Sequence, residues 1–198
     1  MILISPLFAF FSYFVFSFIS NDSFEINFER SSYIESIVNS IMCTYCGFYQ
    51  YPIIYYIFMT HLISDLIYFY VCNRKDYVMI THHIISLITL FHIIYIEPAY
   101  GITAISLAET TNVIFNTKLL LKSFNIKFLC IESLFFFTFV PIRAIIGPYI
   151  TYKEYISLSK IDQNIIIFSY KFIILIVNII SMLFAIYVTK SYIKKIKN

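Results

Sequence analysis

Residues 77–96 read YVMITHHIISLITLFHIIYI, a run without one Lys, Arg, Asp or Glu. A helix needs roughly 20 mainly apolar residues to cross the hydrocarbon core of a bilayer, and this stretch fills that length. The same ruler marks six more candidate spans, at about 2–20, 33–50, 52–71, 99–121, 126–149 and 164–190. Two of them are weak: 33–50 carries Glu35 and Asn39, and 99–121 carries Glu109, Asn112 and Asn116. Connections are short, and the longest, residues 150–163, reads as a surface loop. The expected fold is therefore an all-α polytopic membrane protein of about seven transmembrane helices.

Composition agrees. The 198 residues are 60% hydrophobic and 13% charged, with a mean hydropathy of +0.82. A soluble domain carries about a quarter charged residues, so this chain cannot cover a water-facing surface. The net charge of +3 is small, and no nucleic-acid partner is expected. Cys43, Cys46, Cys72 and Cys130 lie in or beside apolar segments. Cys43 and Cys46 have C-x-x-C spacing, but no second pair completes a zinc set, so they read as small core residues.

Lysine and arginine placement sets the orientation. With seven spans, Arg30, Arg74, Lys75, Lys118, Lys122, Lys127, Lys190, Lys194, Lys195 and Lys197 share one side, against Lys153 and Lys160 on the other. That puts the carboxyl terminus in the cytosol and the amino terminus in the lumen. The first segment has no positive charge at its amino end, and Pro6 to Ile19 is long and rich in Phe. It reads as an uncleaved span rather than a signal peptide.

Ionisable groups at membrane depth cost about 2.5–3.5 kcal/mol each and normally face a protein interior. His61 and Asp65 stand i, i+4, on one helix face. His82 and His83 share their span with Ser86 and Thr89. Glu109, Asn112 and Asn116 make a polar stripe at i, i+3, i+7. Arg143 lies between Pro141 and Gly147. Four spans aiming polar groups inward predict a bundle around a hydrophilic cavity.

Adjacent histidines diverge by about 100° on a helix, so at most one of His82 and His83 points straight down the cavity axis. Asp65 and Glu109 are the candidate carboxylate partners for an imidazole. His92 falls near the end of its helix and reads as an interface residue. Two histidines in succession are poor geometry for one ion, and no H-x-x-x-H spacing is present, so no metal and no resident cofactor is expected.

HLISDLIYF (61–69), KDYVMITHHIISL (75–87), ISLAETTNVIFNTKLL (105–120) and FFFTFVPIRAIIGPY (135–149) resemble, in that order and spacing, the TLC domain. That family takes its name from translocating-chain-associating proteins, the longevity-assurance ceramide synthases and a lysosomal-storage-disease protein. The resemblance implies a six-helix core over residues 30–190, preceded by a span and short loop at 1–29 and followed by a basic cytosolic tail at 191–198. It implies residence in the endoplasmic reticulum and membrane lipids as partners. His82 and His83 match the histidine pair that ceramide synthases use in acyl transfer from acyl-CoA.

The next helix departs from the synthases. Their H-D-x-x-D-x-x-x-E stretch is replaced by Ala108, Glu109, Asn112 and Asn116 at the corresponding positions. With Arg143 in an R-x-x-x-G-P-Y block, the pattern looks more like the TLC-domain-containing (TLCD) proteins, whose roles lie in membrane lipid composition.

Three functions remain open at this point. One is lipid binding or sensing in an intramembrane cavity. Another is an acyltransferase in which His82, His83 and Glu109 are catalytic and acyl-CoA is a substrate. The last is a small transporter. In the first two, Asp65, Asn112, Asn116 and Arg143 contact the lipid.

Overall fold

The computed structural model describes residues 4–20, 22–72, 75–126, 128–161 and 164–197, side chains of 4–9 and 195–197 aside. Eight α-helices follow in order: α1 (Ile4–Ile19), α2 (Phe24–Phe48), α3 (Ile54–Val71), α4 (Tyr77–Ile96), α5 (Gly101–Ser123), α6 (Leu129–Pro141), α7 (Gly147–Leu158) and α8 (Ile165–Lys197). A π-helical turn, Ile142–Ile146, joins α6 to α7 in one continuous rod. Seven rods result, and no strand occurs among the described residues. The start of the first span, Arg74 and Lys127 fall outside the described residues, as does their part in the orientation argument; of Lys195 and Lys197 only the backbone is described.

Among the described residues, four helical stretches are long and apolar enough to cross a membrane: Ile54–Val71, Tyr77–Ile96, Leu129–Leu158 and Ile165–Lys194. This is an integral membrane protein. At 1.5 Å per residue, the 25 residues of α2 and 23 of α5 reach about 37 and 34 Å, also enough to span. Their low hydropathy has a structural reason. The two pack more extensively on each other than any other pair in the bundle.

The buried face of α2 is largely polar: Asn27, Arg30, Ser31, Glu35, Ser36, Asn39 and Ser40, then Cys43, Cys46 and Gly47. Those positions recur at three- and four-residue steps, the period of one helix face, so α2 is amphipathic with its hydrophilic side inward. Gly47 marks a close approach, since a Cβ there would collide with the Ser106 side chain of α5. Thr44 and Thr110 hydroxyls meet at 3.2 Å across the same seam.

The outer helices show the opposite pattern. On α8, Phe168, Phe172, Leu175, Ile179, Leu183 and Ile186 are exposed at the same helical steps, the arrangement of a lipid-facing stripe.

Two boundaries differ from the sequence expectation. The 150–163 stretch is helical as far as Leu158, not a loop, because α7 carries on from α6 through the π turn. Pro148 follows directly on the π turn, in the first turn of α7. Residues 24–32 are likewise helix rather than connection. Their polar groups are used inside: Arg30 pairs with Asp22 at 2.6 Å, donates to the Ser123 carbonyl at 3.0 Å and lies over the Phe124 ring.

Candidate functional site

A cavity of about 250 Å³ lies within the bundle, walled by α3, α4, α5, the π turn, α7 and α8. Asp65, His82, His83, Glu109, Asn112, Asn116 and Arg143 all line it. The seven residues singled out in the sequence thus share one space, although their hydrogen bonds divide them into separate groups.

Helix α4 begins at Asp76, whose carboxylate accepts from the Met79 N–H at 3.1 Å, satisfying one of the donors that a helix start leaves open. One and a half turns on, the histidines part. His83 is buried, and its Nε2 lies 2.8 Å from Asp65 Oδ2 on α3, while Nδ1 lies 2.7 Å from the Met79 carbonyl. Each ring nitrogen therefore faces an oxygen acceptor. Both nitrogens are thus engaged within the bundle, and neither is left facing the cavity for other chemistry.

His82 is exposed, so the cavity opens to the surface beside it. Its ring meets His83 edge-on at 5.6 Å, and it has no hydrogen bond to any described residue. Of the two candidate partners, Asp65 is the carboxylate that reaches a histidine.

Glu109 is occupied elsewhere. It is 1% exposed, accepting from Ser40 Oγ at 2.6 Å and from Asn112 Nδ2 at 2.9 Å. Asn116, one turn further along α5, is half-buried against the cavity. Glu109 and Asn112 thus tie the cavity floor to α2, with no bond to either member of the histidine pair.

Arg143 projects from the π turn, which Pro141 precedes. Proline in a helix interior lacks an N–H and crowds the preceding turn, and π turns of this kind gather at functional sites. The guanidinium reaches the Ala108 carbonyl at 3.3 Å, Thr111 Oγ1 at 3.4 Å and Ser181 Oγ at 3.4 Å. These are long contacts. Its Nε is buried with no hydrogen bond, and the group lies 5.5 Å from the Phe139 ring centre.

His92 falls outside this set, as its position on the helix predicts. Its Nε2 meets Ser169 Oγ at 2.9 Å, and its ring stacks on Tyr170. Cys43 and Cys46 are buried free thiols in the apolar core.

Two groups weigh more in the structure than in the residue pattern. Glu35 is 2% exposed and hydrogen-bonded to Asn39. His61, 4% exposed, lies between two carboxylates: Nδ1 is 3.7 Å from Glu35 Oε2 and Nε2 is 3.8 Å from Asp65 Oδ2. The signal for Glu35 was the polar period running through Ser31, Glu35, Ser36, Asn39 and Ser40. A hydropathy reading registers that period only as a weak span.

A family model described as the TLC domain matches residues 3–194. No curated protein and no solved structure matches the chain.

Proposed function

The chain belongs to the TLC-domain family, and from that premise we propose that its cavity holds a membrane lipid by the headgroup, to bind or sense it without chemical change. The observation that carries this reading is the state of the histidine pair. An acid–base or nucleophilic residue needs a partner that orients it. His82, the histidine with free nitrogens, has none, and His83, which Asp65 orients, has both nitrogens engaged. Binding asks less of the same groups.

Arg143 supplies the cationic pole for an anionic headgroup oxygen. Its long contacts and open Nε can be exchanged for short charge-assisted bonds, which are roughly twice as strong as neutral ones. Asn112, Asn116 and Asp65 offer hydrogen bonds around the same space. A volume of about 250 Å³ lies just below the range of roughly 300–1,000 Å³ for small-molecule pockets. It suits a headgroup and the first carbons of its chains, with the rest of the lipid lying along the helices.

This reading carries a role in membrane lipid composition, TLCD-like rather than ceramide-synthase-like, in the endoplasmic reticulum with the carboxyl terminus cytosolic. Residues 30–190 form the functional unit.

Acyl transfer is the second reading, favoured by the exposed, unbonded His82 ring at the cavity opening. One preparation separates the two. Native mass spectrometry of the detergent-purified chain should show a co-purifying lipid of unchanged mass, and Arg143→Gln should lose most of it. Supplied with a labelled acyl donor, the same protein should release no new lipid. A product abolished by His82→Ala would establish the acyltransferase instead, and a chain that always emerges empty would remove the binding reading.

A further inference from the structure

We propose that Glu35, His61 and Asp65 bind one divalent transition-metal ion on the wall of the cavity. One ligand atom from each lies within 4.8 Å of the others, and the three come from the facing helices α2 and α3.

The spacing around His61 argues for an ion over a simple ion pair. An imidazole hydrogen-bonded to a carboxylate draws to about 2.7–2.9 Å, as His83 does with Asp65 at 2.8 Å. The same carboxylate stays 3.8 Å from His61, and Glu35 stays 3.7 Å away on the other side. His61 Nδ1 is buried and has no hydrogen bond. A buried polar atom without a hydrogen bond calls for an explanation, and here a carboxylate oxygen stands just beyond bonding distance from it.

Metal–ligand bonds of about 2.0–2.2 Å in a tetrahedral site place ligand atoms about 3.4 Å apart. From a spread of up to 4.8 Å, the cluster needs to contract by up to about 1.4 Å to reach that, through rotation of both carboxylates and of the His61 ring, so that one ring nitrogen faces the ion.

Charge points the same way. Glu35, Asp65 and Glu109 put three carboxylates at the centre of the bundle, whereas Arg143 donates to a carbonyl and to hydroxyls and to none of them. A divalent ion in the cluster balances two of these carboxylates. One imidazole with two carboxylates suits zinc or manganese better than magnesium, which keeps its waters and prefers oxygen alone. The supports around the ligands are in place: His83 holds Asp65 and Asn39 holds Glu35. Such outer contacts fix ligand orientation.

This inference stands apart from the lipid reading, because the ion is counted directly. The full chain is purified in detergent, stripped with a chelator and dialysed against Zn²⁺, Mn²⁺ or Mg²⁺. Elemental analysis should then find one Zn²⁺ or Mn²⁺ per chain and no retained Mg²⁺. His61→Ala and Glu35→Gln should each weaken retention at least 100-fold, while His92→Ala leaves it unchanged. X-ray absorption of the zinc form should show nitrogen and oxygen neighbours at about 2.0–2.2 Å and no sulfur. His61→Cys covers the case in which the alanine variant fails to fold. It should retain the ion and add one sulfur neighbour at about 2.3 Å. A wild-type chain that retains no ion would overturn the site. So would a His61→Ala chain that binds as the wild type does, or a His61→Cys chain whose ion has no sulfur neighbour.

Discussion

The α2–α5 seam and the outer face of α8 are both parts of membrane-embedded helices, and they are built by opposite rules. At the seam, Asn27, Ser31, Glu35, Ser36, Asn39, Ser40, Glu109 and Thr111 are buried. On the outer stripe of α8 the exposed residues are Phe168, Phe172, Leu175, Ile179, Leu183 and Ile186. In water the burial preferences would be reversed. In a bilayer the lipid tails are as apolar as any core, so helices gain little by hiding leucine, and packing plus interhelical hydrogen bonds hold them together. Hydropathy along this chain therefore reports contact with lipid, and the helices with the lowest values form the centre of the bundle.

The largest expected break of that contrast comes from the polar interior. His83→Ala removes the 2.8 Å contact of Asp65 and leaves it only the more distant His61, at 3.8 Å, among the imidazoles, and breaking a buried pair costs about 3–5 kcal/mol. Reversible unfolding in mixed detergent should show a loss of that size, with the double change to Leu at 65 and 83 regaining most of it. A loss under about 1 kcal/mol for the single variant would mean that the Asp65–His83 contact does not hold the core.

The next effect is steric. Gly47→Val drives a branched side chain into Ser106, and overpacking of this kind costs about 1–3 kcal/mol. Adding Ser106→Gly in the same chain should restore most of the stability. If the double variant is no better than the single one, the close approach of α2 and α5 is wrong. The smallest effect belongs to the outer face. Leu183, 59% exposed, should tolerate Ala within about 0.5 kcal/mol, and a large loss there would place that stripe inside an interface.

Much of this architecture could be read from the residues. The seven rods follow from the length of apolar runs, and α4 spans 77–96 as that measure predicts. The start of α2 was hidden because Asn27, Arg30 and Ser31 look like a water-facing connection until α5 is seen beside them. The helical stretch to Leu158 was hidden for a similar reason: Lys153 and Glu154 suggest a surface, yet Glu154 is buried and accepts the Tyr100 N–H at 2.8 Å.

At the site, periodicity put the polar groups on shared faces, and those faces do line one cavity. It could not say whether Asp65 or Glu109 meets the histidine, since that depends on how each helix is rotated against its neighbours. Nor could it bring Glu35 to His61, because the seam joining their helices is a tertiary fact.

The place of His82 has a consequence for how occupancy is set. It lies five residues into α4, about 8 Å along the axis, among exposed Val78 and Ile84. On the lipid-binding reading, a molecule reaching the interior past that ring travels sideways out of one leaflet instead of down from the aqueous phase. What fills the chamber is then governed by mole fraction in the surrounding sheet, a two-dimensional quantity. Dilution of the cell's water leaves it untouched, while a change in the neighbouring lipid mixture does not.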